Sequence, residues 1–178
     1  DNLGMYWHLP NIQAFHSIVP GSIMEFYPYV GVKRDVSSKP EISNYALRPL
    51  LSVKYLAVKQ SNPDGADLMP GYRFSFSQFG FDFYENENYL PMGFGYTSAI
   101  RQKKMDEMPY SLRANVMLTA VMLEDEAIQR NSDILELVTD IDYASLDANG
   151  MEDACYDRLG YTCDSFRFDN RGLTATSS

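Results

Sequence analysis

The stretch that most constrains this fold covers residues 45–58, Tyr-Ala-Leu-Arg-Pro-Leu-Leu-Ser-Val-Lys-Tyr-Leu-Ala-Val. Leu47, Leu50 and Leu51 recur at helical spacing, and Val53, Tyr55 and Ala57 then alternate with Lys54, Leu56 and Val58. That change of period predicts a short helical turn feeding a largely buried strand, the central strand of the fold.

Elements on either side can be placed around it. Ser22 is a candidate cap for a helix over residues 23–29, limited by Pro28 and ended by Gly31. Residues 32–43 are polar and contain proline, as a surface connection would. The dipeptides Asn62-Pro63, Asp64-Gly65 and Pro70-Gly71 make residues 60–71 a loop. Tyr72, Phe74 and Phe76 alternate with Arg73, Ser75 and Ser77, and Phe81 and Phe83 alternate with Asp82 and Tyr84. With Gly80 between the runs, this predicts an antiparallel hairpin whose Phe set points inward. Residues 93–96 suggest one more short strand.

From Ser111 the period returns to helical, with Leu112, Val116, Ala120 and Leu123 on one face. A further helix is predicted over residues 125–130 and a strand over residues 135–141. Residues 142–153 are acidic with an Asn149-Gly150 turn, and Phe166 and Phe168 open a β-segment whose partner strands are expected beyond the chain's end. The prediction is a single α+β domain with a mixed or mostly antiparallel sheet and helices packed on it. Residues 1–141 form its main body, and residues 142–178 an acidic connection and the start of a truncated β-segment.

At 178 residues, 45% of them hydrophobic and 22% charged, the chain has enough material for one core. A net charge of -9 and a pI near 4.6 argue against nucleic acid as a partner and against tight adsorption to anionic lipid. No apolar run approaches a membrane span, and no processing signal opens the chain. Asp1 without Met, and the Ala-Thr-Ser-Ser ending, suggest an excerpt of a longer protein. Cys155 and Cys163 are spaced to close a small loop under oxidising conditions or to stand as two separate thiols. With no histidine near them and no second cysteine pair, a metal site is not expected.

Asp82, Glu85 and Glu87 gather at a strand end. Paired carboxylates there could do glycosidase-like acid and base work, or could be a solvated strand end or a backbone cap. Alternation sends Asp82 and Glu85 to opposite faces. Asp147-Ala-Asn149-Gly150 is a fragment of a calcium-loop pattern in the wrong register, and a plain turn explains it better. His8 and His16 have no nucleophile in a recognisable dyad, and no Gly-rich phosphate loop is present. Tyr6, Trp7, Tyr27, Tyr29, Tyr89 and Tyr96 are candidates for an exposed surface on which sugar rings stack.

Four stretches carry a family resemblance. They are residues 2–6 with 12–17, residues 22–27, residues 47–55, and residues 81–86 followed by 90–94. Their content and order resemble the extracytoplasmic region of YfhO-type bacterial membrane proteins. That family is similar to membrane-embedded glycosyltransferases that use lipid-linked sugars, and is associated with glycosylating cell-wall polymers such as lipoteichoic acid in Gram-positive bacteria.

The resemblance implies an outward-facing domain at the bacterial cell membrane, whose partners are its own transmembrane helices and a glycan or polyprenyl-phosphate sugar. It implies no cofactor. The family's acidic base has no counterpart here, so no catalytic residue is assigned and sugar transfer is expected in the membrane part. Where the family commonly shows an aromatic followed by Asn-Ser, this chain has Phe15-His16-Ser17. The candidate ligand contacts are Tyr6, Trp7, His8, His16, Ser17, Arg34 and Arg48. Arg48 is equally suited to fixing the helix-to-strand turn through carbonyl contacts. Because the chain is acidic, an anionic acceptor would need a local patch, either Lys33-Arg34 or Arg101-Gln-Lys103-Lys104.

Overall fold

A computed structural model describes residues 9–12, 14–15, 21–33, 37–62, 69–169 and 172–176. The α+β class holds. The strands, however, form separate small sheets rather than one large sheet, and they divide the molecule into a packed body and a projecting wing.

The body is organised on a short strand that the hydrophobic pattern does not reveal. Strand β6 (Ser98–Arg101) lies between β7 (Val121–Leu123) and β8 (Glu136–Val138), parallel to both. Ala99 and Ile100 on β6 are fully buried. Parallel neighbours need helical crossovers, and the chain supplies them. Helices α3 (Gln102–Asp106) and α4 (Tyr110–Thr119) join β6 to β7, and α5 (Asp125–Arg130) joins β7 to β8.

Helix α5 falls where the sequence places it. Helix α4 is shorter than predicted, because Ala120 is already extended and the next three residues, expected to continue the helix, form β7. Helix α1 (Gly21–Tyr29) lies where it was predicted and closes at Gly31, whose φ of +79° suits glycine, but it begins before Ser22, which is a helical residue rather than its cap. Helix α2 (Leu47–Leu50) is the predicted helical turn.

The core collects Val30, Ala46, Leu47, Leu90, Ile100, Met105, Ala114, Leu118 and Ala120, with Met151 and Cys155 from a helix absent from the sequence reading. That helix, α6 (Ala148–Leu159), packs against α4 and passes straight through the supposed Asn149-Gly150 turn. Asp147 is its N-cap, its Oδ1 accepting from the Gly150 N–H at 2.9 Å. Gly150 faces the Ser145 carbonyl so closely that a Cβ would overlap it. Asp and Gly are therefore required here by a helix start, not by a turn or a calcium loop.

The wing is a three-stranded antiparallel sheet in the order β3 (Tyr55–Lys59), β5 (Phe81–Asn86), β4 (Tyr72–Gln78). The predicted central strand is thus an edge strand, half-exposed rather than buried, and β5 is the centre. None of the core cluster's buried side chains lies on these three strands.

The predicted hairpin is present, closed by Phe79 and Gly80 at φ of +52° and +78°, the geometry of a two-residue type I′ turn. A bulge between Phe74 and Phe76 sets Phe74 opposite Tyr84 and Phe76 opposite Phe83. Since Phe83 and Tyr84 are consecutive, the bulge sends the two β4 rings to opposite faces. The Phe residues therefore do not all point inward: Phe74 is 55% exposed and Phe76 41%.

Three smaller corrections complete the fold. Ser37–Ser38 (β2), inside the expected surface connection, pairs with Ala14–Phe15 (β1). Residues 93–96 make only an isolated bridge, Phe94 to Thr162. The tail strand β9 (Ser165–Asp169) finds its partner within the chain, in β10 (Gly172–Thr176).

Replacing Asp147 with Ala should cost about 1 kcal/mol, the usual value of a lost N-cap. Gly150→Ala should cost more, because the Ser145 backbone blocks the new methyl, and Asn149→Ala should be near neutral. Urea denaturation with an unchanged slope would measure all three.

Candidate functional site: a cationic cleft at parallel strand ends

The strand order β7-β6-β8 has a consequence for ligands. From β6 the chain crosses to β7 on one side, then returns past β6 to place β8 on the other. In open parallel sheets with this order, the crevice outside the carboxyl ends of the first and third strands is the natural binding position, because their connecting segments diverge there. In this chain those ends are Arg101 on β6 and Val138 on β8.

A shallow cleft of about 180 Å³ opens at that point, lined by Arg101, Lys103, Lys104, Glu107, Val138 and Thr139. Three cations face one carboxylate in a chain of net charge -9. The Arg101 Nε donates to Asp125 Oδ1 at 2.8 Å, at the start of α5. Among the described residues, Lys103 and Lys104 have no carboxylate within ion-pair distance. The cleft therefore offers two uncommitted ammonium groups to an anion, while Arg101 is already partly neutralised and the Thr139 hydroxyl donates to Asp140 Oδ2 at 3.3 Å.

The α3 side of the cleft is fixed from beneath. Arg113 on α4 is buried and donates to the carbonyls of Asp106 at 3.0 Å, Met108 at 3.3 Å and Tyr29 at 3.1 Å. Its guanidinium carbon lies 4.2 Å from the Tyr29 ring centre and 4.4 Å from that of Tyr110. The Tyr29 hydroxyl donates to Asp106 Oδ1 at 2.9 Å. Burial, and then the hydrogen bond and charge of Asp106, push the Tyr29 pKa up to about 12, with Arg113 opposing. The end of α3 is thereby held to the end of α1, which sets the position of Lys103 and Lys104.

Of the predicted ligand contacts, Tyr6, Trp7, His8, His16, Ser17 and Arg34 lie outside the described residues. Arg48 is described and buried, its guanidinium donating to the carbonyls of Glu41 (2.8 Å), Asn44 (2.6 Å) and Pro40 (2.8 Å). These are the carbonyl contacts that fix the approach to α2, and burial lowers its pKa. Lys33, of the other basic pair, is exposed.

Of the predicted aromatic surface, Tyr6 and Trp7 lie outside the described residues, and the described tyrosines do not form one. Tyr27 is buried with its hydroxyl donating to the Ile12 carbonyl, Tyr29 is engaged as described, and Tyr96 donates to the Met117 carbonyl. Tyr89, half-buried, lies beside the Lys54 ammonium. Nor do the carboxylates pair. Asp82 accepts from Ser77 and Gln60, which hold its pKa down, while Glu85 meets Lys54 and Glu87 meets Arg73. They are solvated side chains spread along β5, with Asp82 beside the hairpin and Glu87 just past the opposite end.

Cys155 and Cys163 are separate thiols, and burial pushes the Cys155 pKa up to about 12. Among the described residues no group of three His, Cys, Asp or Glu is placed to hold a metal. The Arg101-Gln-Lys103-Lys104 run was visible in the sequence, but its partners Val138 and Thr139 were not. Only the parallel topology brings them there, and the alternation of short strands with helices over residues 98–138 was the available signal.

The chain belongs to the YfhO family of bacterial membrane proteins, whose family model matches residues 1–154. No curated protein and no solved structure matches it. Among the described residues no helix is long and apolar enough to cross a membrane.

The raised Tyr29 pKa carries a sign. Between pH 10 and about 12 the unfolded chain loses the phenol proton that the fold retains, so stability should fall as pH rises through that window. Tyr29→Phe removes this contribution, and its unfolding free energy should decline less steeply with pH in denaturant titrations across the range.

Proposed function

We propose that this chain is the outward-facing domain of a multi-spanning, glycosyltransferase-like membrane protein. In this reading it assists the transfer of a sugar from a polyprenyl-phosphate carrier to a cell-wall polymer such as lipoteichoic acid, with the chemistry done in the membrane part. The supporting observation is the cationic cleft at the ends of β6 and β8. Carrier and acceptor share one chemical feature, the phosphodiester or phosphate monoanion. A domain with so much negative charge repels a polyanion everywhere except at a local patch, and screening over about 8 Å at physiological salt lets such a patch act at contact range. The cleft suits one phosphate with part of its sugar or glycerol neighbour. It contains no histidine or thiol and a single carboxylate, Glu107, so its role is positioning.

A second reading is a non-catalytic interaction or scaffold domain with no glycan site of its own. The exposed aromatic wing favours it, since rings that add nothing to the core are available to a partner.

An amide NMR titration with glycerol-phosphate oligomers and short-chain polyprenyl-phosphate sugars separates the two. Saturable shifts at Arg101, Lys103, Lys104 and Thr139 are expected, weakening several-fold as salt rises from about 0.05 to 0.2 M. The Lys103→Glu/Lys104→Glu variant should abolish them while leaving the melting temperature unchanged. No shift with either probe would leave the scaffold reading standing.

A further inference from the structure

The wing contains a residue that the fold gives no reason to keep. Phe79 lies at the hairpin tip, 81% exposed, with φ of +52°. A bulky non-glycine side chain in the left-handed region is strained, and type I′ turns strongly prefer Asn, Asp or Gly there. Phe79 thus incurs the backbone cost and recovers almost nothing by burial. Strain without compensation inside the fold points to a use outside it.

The rest of the wing indicates what that use is. Tyr55, Phe76 and Phe83 share one face, with Phe76 stacked on Phe83 at 4.6 Å and Tyr55 edge-on to Phe76 at 6.2 Å. Phe74 and Tyr84 meet at 5.8 Å on the other face. A rigid protein surface would cover one of these faces and leave the other and the tip in water. A fluid layer surrounds both faces and the tip without needing a complementary shape.

Charge adds a direction. The wing's strand segments, residues 54–59 and 72–87, balance Lys54, Lys59 and Arg73 against Asp82, Glu85 and Glu87, while the loop that joins β3 to β4 adds Asp64 and Asp67. The acidic body is repelled by an anionic membrane surface, and the charge-balanced aromatic strands of the wing are the part better able to approach one. A membrane is at hand, since the chain belongs to a family of membrane proteins.

We propose that the wing docks tip-first into the interfacial layer of a lipid bilayer, with Phe79 leading and Phe76 next behind it. Aromatic rings partition favourably into the headgroup region. The depth is limited by the sheet itself: β3 and β4 are edge strands, and their outer backbone groups cannot lose water to the hydrocarbon core. This inference is independent of whether the cationic cleft binds phosphate.

The test is flotation of the 178-residue chain with phosphatidylcholine vesicles. Co-flotation is expected, weakened when phosphatidylglycerol is included at low salt and restored by adding salt. Phe79→Asn should reduce partitioning by about tenfold or more. The same change should leave the melting temperature unchanged or raise it, because Asn-Gly is the preferred type I′ pair. The Lys103→Glu/Lys104→Glu variant should float like the parent. In a Phe79→Trp variant, the emission added above the Trp7 background should shift to the blue and be quenched more by lipids brominated near the headgroup than by those brominated near the chain end. The proposal is overturned if the parent chain stays with the unbound fraction, if Phe79→Asn floats equally well, or if sedimentation shows Phe79-dependent self-association in place of vesicle binding.

Discussion

The body of this protein depends on buried guanidinium groups held by backbone carbonyls. Arg48, Arg113 and Arg158 are each almost fully buried, and none forms an ion pair with a carboxylate among the described residues. Each instead takes carbonyl oxygens from the end of a segment that has no strand or helix partner for them: 40–44 for Arg48, 106–108 and Tyr29 for Arg113, and Gly95 for Arg158. A buried charge left without partners would cost several kcal/mol, so each arginine obliges its loop to take one conformation. Rings complete the sandwich for two of them, Tyr29 and Tyr110 around Arg113 and Tyr96 and Tyr161 around Arg158. This is how a body of short helices and three- or four-residue strands acquires fixed joints.

The position of the cleft follows from the same economy. Strand β6 offers only Ala99 and Ile100 to the core, too little area for an independent unit, so it is stabilised by parallel neighbours and their helices. Those crossovers bring the ends of β6 and β8 together at the surface, and Arg113 sets α3 beside them. The cations at the cleft are exposed because they stand where strands stop, not because any segment is basic as a whole.

This division explains what could be read from the sequence. Strong local signals survived: the helix stopped by Gly31, the hairpin around Gly80, the six-residue α5 and the turn into β3. Elements whose cause is tertiary did not. Four residues with two apolar side chains carry no recognisable period, so β6 was invisible. Helix α6 begins with Asp-Ala-Asn-Gly, residues that favour turns, and becomes helical because Met151, Ala154 and Cys155 pack on the core while Asp147 satisfies the free Gly150 N–H. Tyrosines expected to form a surface were drawn inward by carbonyl partners. The phenylalanines expected inside were turned outward, since alternation predicts which residues share a face only while the register is unbroken.

That broken register is the work of one residue. Ser75 has no partner on β5, so Phe74 and Phe76 lie on opposite sides of β4; one residue inserted opposite it, between Phe83 and Tyr84, would return both rings to the same side, giving a hairpin with one oily face and one polar face. The first form has no inside and is suited to surroundings that yield on every side. The second would be an ordinary layer waiting for a lid. A single insertion or deletion therefore separates a strand pair that seals a core from one that probes its environment, a change within reach of one short step in the gene.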